Sequence, residues 1–289
     1  MKKIIRTPGL IVATLSMLIV FPGGVQAQLE RERVVEDRPI DFIFQAPVNI
    51  GLSTVQNVSQ NNLNTSVLHT FGLTSGGIDR FYGLDDGANT RIGLDYGITD
   101  SFSVGIGRMT FQKVVDIRTK INILRQTRTG STPVDLAVKG SAGISTMPGI
   151  GLDFTDRLSY LVSVMAARKI NSLSIQISPM IGYFNHVVLD ENPNRLFGMG
   201  IMASYAISDR YALSAEYIPV IGDKFRNTSD TMGVALNIDT GGHVFQIFLT
   251  SSQWHNEQFI MANNRDRFWE GDFRFGFNIH RNFGLGGRN

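Results

Sequence analysis

The sequence predicts an all-β protein: a closed antiparallel up-and-down transmembrane β-barrel of about twelve strands. Three observations lead there. Apolar and polar residues alternate along most of the chain, tight connections alternate with long ones, and aromatic residues collect near the ends of the alternating stretches. The ribbon 272–283, DFRFGFNIHRNF, shows the pattern: Phe273, Phe275, Phe277, Ile279 and Phe283 fall on one face, and Arg274, Gly276, Asn278 and His280 on the other. Successive strand side chains point to opposite faces, so this ribbon has an oily side for lipid and a wet side for a barrel interior.

From the start of the chain, residues 1–27 read as a secretory signal peptide: Lys2, Lys3 and Arg6, an apolar stretch over 10–21, and Val25-Gln26-Ala27 as a small-residue cleavage site. Three of the 27 basic residues and none of the 25 acidic ones lie in it, so the remainder carries 24 basic against 25 acidic residues. A neutral balance gives no reason to expect nucleic acid as a partner. The absence of cysteine excludes a lipid-attachment thiol and a disulfide. After the signal no apolar run approaches the ~20 residues of a membrane helix.

Residues 28–62 read as an N-terminal extension in the periplasm, available to a periplasmic partner protein. The charged runs at 30–33 and 36–38 favour a solvated segment over one folded into the lumen as a plug, and Pro39 and Pro47 argue against a central strand. Residues 63–289 then form the outer-membrane barrel, in the ribbons 63–72, 90–98, 102–111, 115–124, 134–143, 158–167, 173–183, 197–207, 211–219, 232–238, 243–250 and 272–283. Most are close to the ~9 to 11 residues of a tilted membrane strand.

Tight connections at 99–101, 169–172, 208–210 and 239–242 follow even-numbered ribbons, and long ones at 73–89, 144–157, 184–196, 220–231 and 251–271 follow odd ones. Short turns belong on the periplasmic side and long loops outside, which places both termini in the periplasm. Two connections fit less well: 112–114 is short after the third ribbon, and 125–133 is of middling length after the fourth. With this topology Tyr96, Phe102, Tyr205, Tyr211 and Phe283 lie near the periplasmic rim, and Tyr160, Tyr183, Tyr217 and Phe273 near the outer one. A soluble barrel or sandwich would also alternate; these girdles and connections are what separate the two readings.

Several stretches carry a resemblance. They are Phe81-Tyr82-Gly83-Leu84-Asp85 to Asn89, Gly93-Leu94-Asp95-Tyr96-Gly97-Ile98-Thr99-Asp100, Val104-Gly105-Ile106-Gly107-Arg108, Leu124-Arg125-Gln126, Arg157-Leu158-Ser159-Tyr160, Arg168-Lys169, Pro179, and Gly271-Asp272-Phe273-Arg274-Phe275-Gly276-Phe277-Asn278-Ile279. The chain from Leu63 onward resembles a family of outer-membrane β-barrels of Bacteroidetes-type bacteria, catalogued as a domain of unknown function. The resemblance implies fold and location and assigns no reaction. The family's His-Arg-Phe-Gly stands here as His69-Thr70-Phe71-Gly72, and its His-Arg-Asn as Tyr183-Phe184-Asn185, so any shared role of those basic residues is lost or altered in this chain.

Alternation turns Arg91, Asp95, Asp116, Arg118, Lys120, Asp135, Lys139, Glu216, Arg274 and His280 inward. Mixed charges in a narrow channel select polar solutes; in a closed interior the same set is a paired electrostatic network. No catalytic set or metal site is expected. Of His69, His186, His243, His255 and His280, none precedes a serine by two residues as in the outer-membrane phospholipases, and His255-Asn256-Glu257 lacks the further ligands of a zinc site. The loop 190–194 lacks the full calcium pattern and reads as a turn. The spelling Gly198-Met199-Gly200-Ile201-Met202-Ala203 runs through a strand with no helix after it, so its glycines are expected on the inward face beside bulkier neighbours. A short helical turn is expected over 256–264 in the last outer loop, with Trp254 and Phe259 packing it.

These readings predict a narrow channel or solute-binding transporter with no cofactor and no covalent chemistry, whose partners are membrane lipid and a small polar solute. The alternatives are an integral outer-membrane enzyme using His255 or His186 at the outer rim, or a structural, partner-binding barrel.

Overall fold

A computed structural model describes residues 37–148 and 151–285. The signal peptide and the charged run 30–33 lie outside the described residues. Thirteen strands follow in order: β1 (Asn62–Leu73), β2 (Asn89–Thr99), β3 (Phe102–Met109), β4 (Val114–Leu124), β5 (Asp135–Ser145), β6 (Leu158–Ile170), β7 (Leu173–Phe184), β8 (Arg195–Ala206), β9 (Tyr211–Ile218), β10 (Val220–Ile221), β11 (Thr231–Asp239), β12 (His243–Thr250) and β13 (Arg274–Gly284). Apart from β10, consecutive strands pair antiparallel, with β9 joined to β11, and β1 pairs with both β2 and β13, which closes the sheet into a twelve-strand barrel. The extra piece, β10, continues β9 beyond Pro219 and pairs with β8 at Gly198 and Phe197. Every ribbon read from the sequence corresponds to a strand, each bound within three residues.

The alternation is inverted relative to a water-soluble protein. In β7, Gln176 and Ser178 are fully buried while Ile177 between them is 50% exposed, and Ile117 of β4 and Ile92 of β2 are exposed in the same way. Apolar side chains facing outward suit a barrel whose solvent is lipid, and the lumen holds both polar side chains and an apolar cluster that includes Leu161, Met165 and Met202. Pro179 sits within β7 where the ladder to β6 lapses between Ser163/Met180 and Ala166/Ile177, so its missing N–H interrupts one edge only. Among the described residues no helix is long and apolar enough to cross a membrane.

One end of the barrel carries the tight turns and the other the long loops. The two connections that fitted the alternation poorly have local causes. After β3 the chain turns in a single tight 3-10 turn, with Gln112 and Lys113 at positive φ. The connection after β4 is longer because it docks the entering N-terminal chain: Pro39 bridges Thr127, Ile40 N–H donates to Gln126 O, and Arg128 N–H donates to Arg38 O.

From there the N-terminal chain departs from the periplasmic extension read for 28–62. Ile43, Phe44, Ala46, Asn49, Ile50, Leu52, Ser53, Thr54, Val55 and Val58 are buried inside the barrel. The segment enters at the turn end, reverses at a hairpin closed by the Val48/Ser53 bridge, and returns to the same rim, where Gln60 N–H donates to Asp100. The physical reason is charge: between Asp41 and Asp79 the chain holds no Asp, Glu, Lys or Arg, so 43–58 brings no ion to be desolvated. The charged runs that suggested solvation precede this segment.

A second insertion comes from the loop end. Residues 251–264 fold inward around α1 (Glu257–Asn263), whose first six residues are all buried. Trp254 stacks on Phe259 with ring centroids 5.9 Å apart, as packing partners of this turn.

Candidate functional site

The barrel interior is the candidate site, and its wall is built first by glycine. Gly105 and Gly107 of β3 lie between β2 and β4, opposite Asp95 and Gly93 on one side and Arg118 and Asp116 on the other. A Cβ at Gly107 would stand 2.1 Å from Arg91 Nη2, and one at Gly105 2.1 Å from Asp95 Oδ1. Glycine there leaves a floor over which side chains two strands apart can meet. Arg91 donates to Asp116 through Nε (3.1 Å) and Nη2 (2.7 Å). Arg118 grips Asp95 through Nε (2.7 Å) and Nη2 (2.6 Å) and donates Nη1 to Asp116 at 3.0 Å. The four charges cancel within the wall, and bidentate arginine pairing compensates their burial.

The hairpin is held by its backbone. Glu216 on β9 accepts from Ile50 N–H (3.1 Å), Gly51 N–H (2.9 Å), Leu52 N–H (3.3 Å) and Asn49 Nδ2 (3.2 Å). Consecutive N–H groups converging on one anion form a nest. Among the described residues no cation lies within ion-pair distance of this carboxylate, so those donors are what compensate its charge. Gln176 accepts from Val55 N–H at 2.8 Å and donates to Ser53 O at 2.8 Å, as a strand partner would. Asn278 donates to Asn49 O and Ile50 O, and Ser174 to Ile43 O. Lys120 Nζ donates to Thr54 O (2.9 Å) and Gln56 O (2.7 Å). Apolar contacts complete the seat: Leu52 covers Gly200, and Ile50 packs with Ala235 and Phe248.

The two insertions meet at Glu257. Its carboxylate accepts from Lys139 Nζ of β5 at 2.7 and 2.8 Å and from Ser53 N–H of the hairpin at 3.1 Å, while Lys139 also donates to Ser53 Oγ at 2.7 Å. Loop, hairpin and wall thus share one ion pair. The inward glycines of β8 make room: Gly198 faces Met261 and Gly200 faces Leu52, where a Cβ would come within 2.3 and 2.6 Å. Where the hairpin meets the β2–β5 wall, a void of about 20 Å³ remains beside Asp95, Arg118, Lys120 and Lys139, room for about one water molecule.

Of the inward residues read from the sequence, Arg91, Asp95, Asp116 and Arg118 form one network. Lys120 and Glu216 bind the hairpin, and Lys139 binds loop and hairpin together. Asp135 accepts from Asn122 and the Gln126 N–H near the turn end. Arg274 stands apart near the loop end, gripping Asp266 at 2.6 and 2.9 Å. His280 is buried, with no partner for either ring nitrogen among the described residues. The functional residues that sequence reasoning missed are those of the hairpin, Asn49–Leu52 and Ser53, and Glu257; the uncharged stretch 42–78 is the signal that marks the hairpin.

Of the two histidines offered for surface chemistry, His186 is exposed in the connection after β7 and His255 is buried. His255 lies inside the barrel, its Nε2 3.0 Å from Asn89 O, and His69 stacks on Phe277 with Nδ1 2.8 Å from Thr90 Oγ1. Among the described residues no group of three His, Cys, Asp or Glu is placed to hold a metal ion.

A closed barrel with lipid-suited walls and a lumen occupied by its own chain defines a plugged membrane β-barrel. The chain belongs to the family of the membrane bound beta barrel domain DUF5777, whose model matches residues 44–283, so the family's extent includes the hairpin as well as the strands. A search of the curated proteins gave no match. Among solved structures the chain is similar to the NanC porin (9% identity, TM-score 0.47, covering 76% of this chain and 97% of that one). It is likewise similar to the KdgM porin (8%, 0.48, 77% and 99%). An active-site mutant of outer membrane phospholipase A from Escherichia coli is similar at 10% identity and TM-score 0.42, covering 80% of this chain and 93% of that one. These likenesses are too remote to carry an argument about activity.

Proposed function

We propose that the protein is an outer-membrane channel or solute-binding transporter, shut in this conformation, which opens when the hairpin 43–58 and the loop 251–264 withdraw from the lumen. The signal peptide and the division of tight turns and long loops between the two ends support the location, with the turn end and both termini in the periplasm. The observation that carries the reading is the way the interior is held. Wall groups such as Gln176, Asn278, Ser174, Lys120 and Glu216 bind the hairpin through its backbone, and water can serve each of them equally when it leaves. Exchanging such a bond for water costs roughly 0.5–1.5 kcal/mol, more for the charged ones. While the hairpin is docked, the same groups satisfy its buried backbone, which has one internal bridge, at Val48 and Ser53.

The test uses the absence of native cysteine. Ser214 Oγ and Asn49 Oδ1 are 2.7 Å apart, so Asn49→Cys with Ser214→Cys places two thiols at the hairpin tip. Bridged by a short bis-methanethiosulfonate, the full mature chain in planar bilayers should stay silent, and reduction should restore the openings of the untreated protein. Absence of current and solute flux from the reduced and unmodified protein alike counts against the reading.

The occupied lumen favours, as a second reading, a barrel that docks a periplasmic protein. The turn end offers two clefts beside the entering chain, of about 320 Å³ (Ile40, Gln56, Asp100 and others) and about 260 Å³ (Phe44, Lys169, Asp209 and others). Co-purification of one stoichiometric protein, lost when Asp100 and Asp209 are reversed to Lys, would favour it over the first.

A further inference from the structure

We infer that Lys120 and Lys139 form a binding site for a carboxylate-bearing solute, filled in the shut barrel by the Glu257 carboxylate and by hairpin carbonyls. The inference rests on the channel reading in one respect, that a solute must reach the lumen.

Four observations lead to it. Lys120 and Lys139 are direct cross-strand partners on β4 and β5, both buried and both turned inward. Like charges opposite each other destabilise a sheet, so the pair needs an anion or strong acceptors near it. The rest of this wall supplies none within reach: Asp95 and Asp116 are already taken by Arg118 and Arg91, and Asp135 is held at the turn end by Asn122 and the Gln126 N–H. Compensation comes instead from chain that is not wall, with Glu257 of the loop on Lys139 and three carbonyl oxygens, of Pro47, Thr54 and Gln56, on Lys120. Among the described residues no carboxylate lies within ion-pair distance of Lys120.

Glu257 is the stand-in that shows what the site accepts. Both of its oxygens lie within 2.8 Å of Lys139 Nζ, a carboxylate held by a point cation. When the loop and hairpin leave, two adjacent ammonium groups remain with no carboxylate in ion-pair contact, because Asp95 and Asp116 stay with Arg118 and Arg91. The carboxylate Glu216 is on β9, five strands away from β4 around a barrel of twelve, nearly opposite. A solute anion entering there meets cations on one side only.

The test is calorimetric titration of the full mature chain in detergent with succinate, and with succinamide as its uncharged counterpart. Glu257→Gln removes the resident anion and should bind succinate at least tenfold more tightly than wild type. Adding Lys139→Gln or Lys120→Gln to that variant should abolish the gain, and succinamide should bind none of them measurably. Equal affinity in wild type and Glu257→Gln, retention of the gain in both double variants, or equal binding of succinamide overturns the assignment. A second measurement leaves Glu257 in place: under a KCl gradient in bilayers, Lys120→Gln/Lys139→Gln should move the reversal potential toward cation selectivity, and an unchanged potential counts against the site. The two readings separate cleanly. Succinate binding without current in any variant keeps the site and removes the channel; current that ignores both lysines does the opposite.

Discussion

At Gly107 one methyl group decides whether the wall network exists. An alanine Cβ would stand 2.1 Å from Arg91 Nη2 and 2.9 Å from Asp116 Oδ2, and the guanidinium cannot swing aside without leaving the carboxylate that fixes it. Breaking a buried pair costs about 3–5 kcal/mol, so Gly107→Ala should lower the unfolding free energy by that order and with it the urea midpoint of the barrel, whereas Gly140→Ala, whose Cβ would meet only Thr119 Oγ1 at 3.6 Å, should leave the midpoint nearly unchanged. Equal midpoints for the two variants would refute the spacing argument. At Glu216 the exposed liability is reversed: Glu216→Ala leaves three N–H groups and one amide without their acceptor. At about 1–3 kcal/mol for an unmet buried donor, hydrogen exchange at residues 50–52 should accelerate by at least tenfold, with the strand amides unaffected. Outside the membrane span, burial alone would raise the Asp230 carboxyl, but hydrogen bonds from Lys224, the Val220 N–H and the Tyr217 hydroxyl outweigh it and hold the group below its ordinary 3.8. A depressed carboxyl contributes stability above its unfolded value and loses it as pH falls through the folded one. The loop 222–230 should therefore resist an acid-active protease at pH 5 and be cut progressively more readily below about pH 3.8, an effect that Asp230→Asn removes by making the loop labile at both.

The elements differ in how far the sequence reveals them. Strand ends were legible because period-two alternation is local: the same residues that form β7 also state which face is wet. Inward direction of the charges was legible for the same reason. Their partners were not, because Arg91 meets Asp116 across an intervening strand, and that depends on the register of β2, β3 and β4 together. The hairpin was illegible from charge runs that stop short of it, and it has no periodicity of its own, being shaped by the wall it rests against. The helix α1 was legible as a turn of helix, yet its inward placement depends on Gly182 and Gly198, whose open space serves Gln258 and Met261. Gly198→Ala should push Met261 out of its seat, and overpacking of this kind costs roughly 1–3 kcal/mol. Exchange should rise across Glu257–Asn263 and return toward wild type in Gly198→Ala/Met261→Ala; persistence of the defect in the double variant would show that the glycine serves some other purpose.

Across the whole molecule, the hairpin enters from one end and the loop from the other, and they join through Lys139, Glu257 and Ser53. Through that junction the two insertions should close cooperatively, because undocking either one removes a partner of the Lys139, Glu257 and Ser53 cluster that also holds the other. Coupling between sites is reciprocal and is measured as a free energy, typically 1–3 kcal/mol. Glu216→Ala touches the hairpin alone and Gly198→Ala the loop alone, so each should first loosen its own insertion and then, through Glu257, the other. Lys139→Gln removes the common partner. In that variant exchange at residues 49–55 and 257–263 should rise together, and a further Glu216→Ala should pass less of its loosening to the loop than it does in wild type, because the Ser53 N–H to Glu257 bond and the packing of Gly51 on Ile260 still join the two. Loss of protection confined to one insertion in Lys139→Gln, with the other as slow as wild type, would mean that the two close independently and that the shared ion pair carries no signal from one face of the membrane to the other.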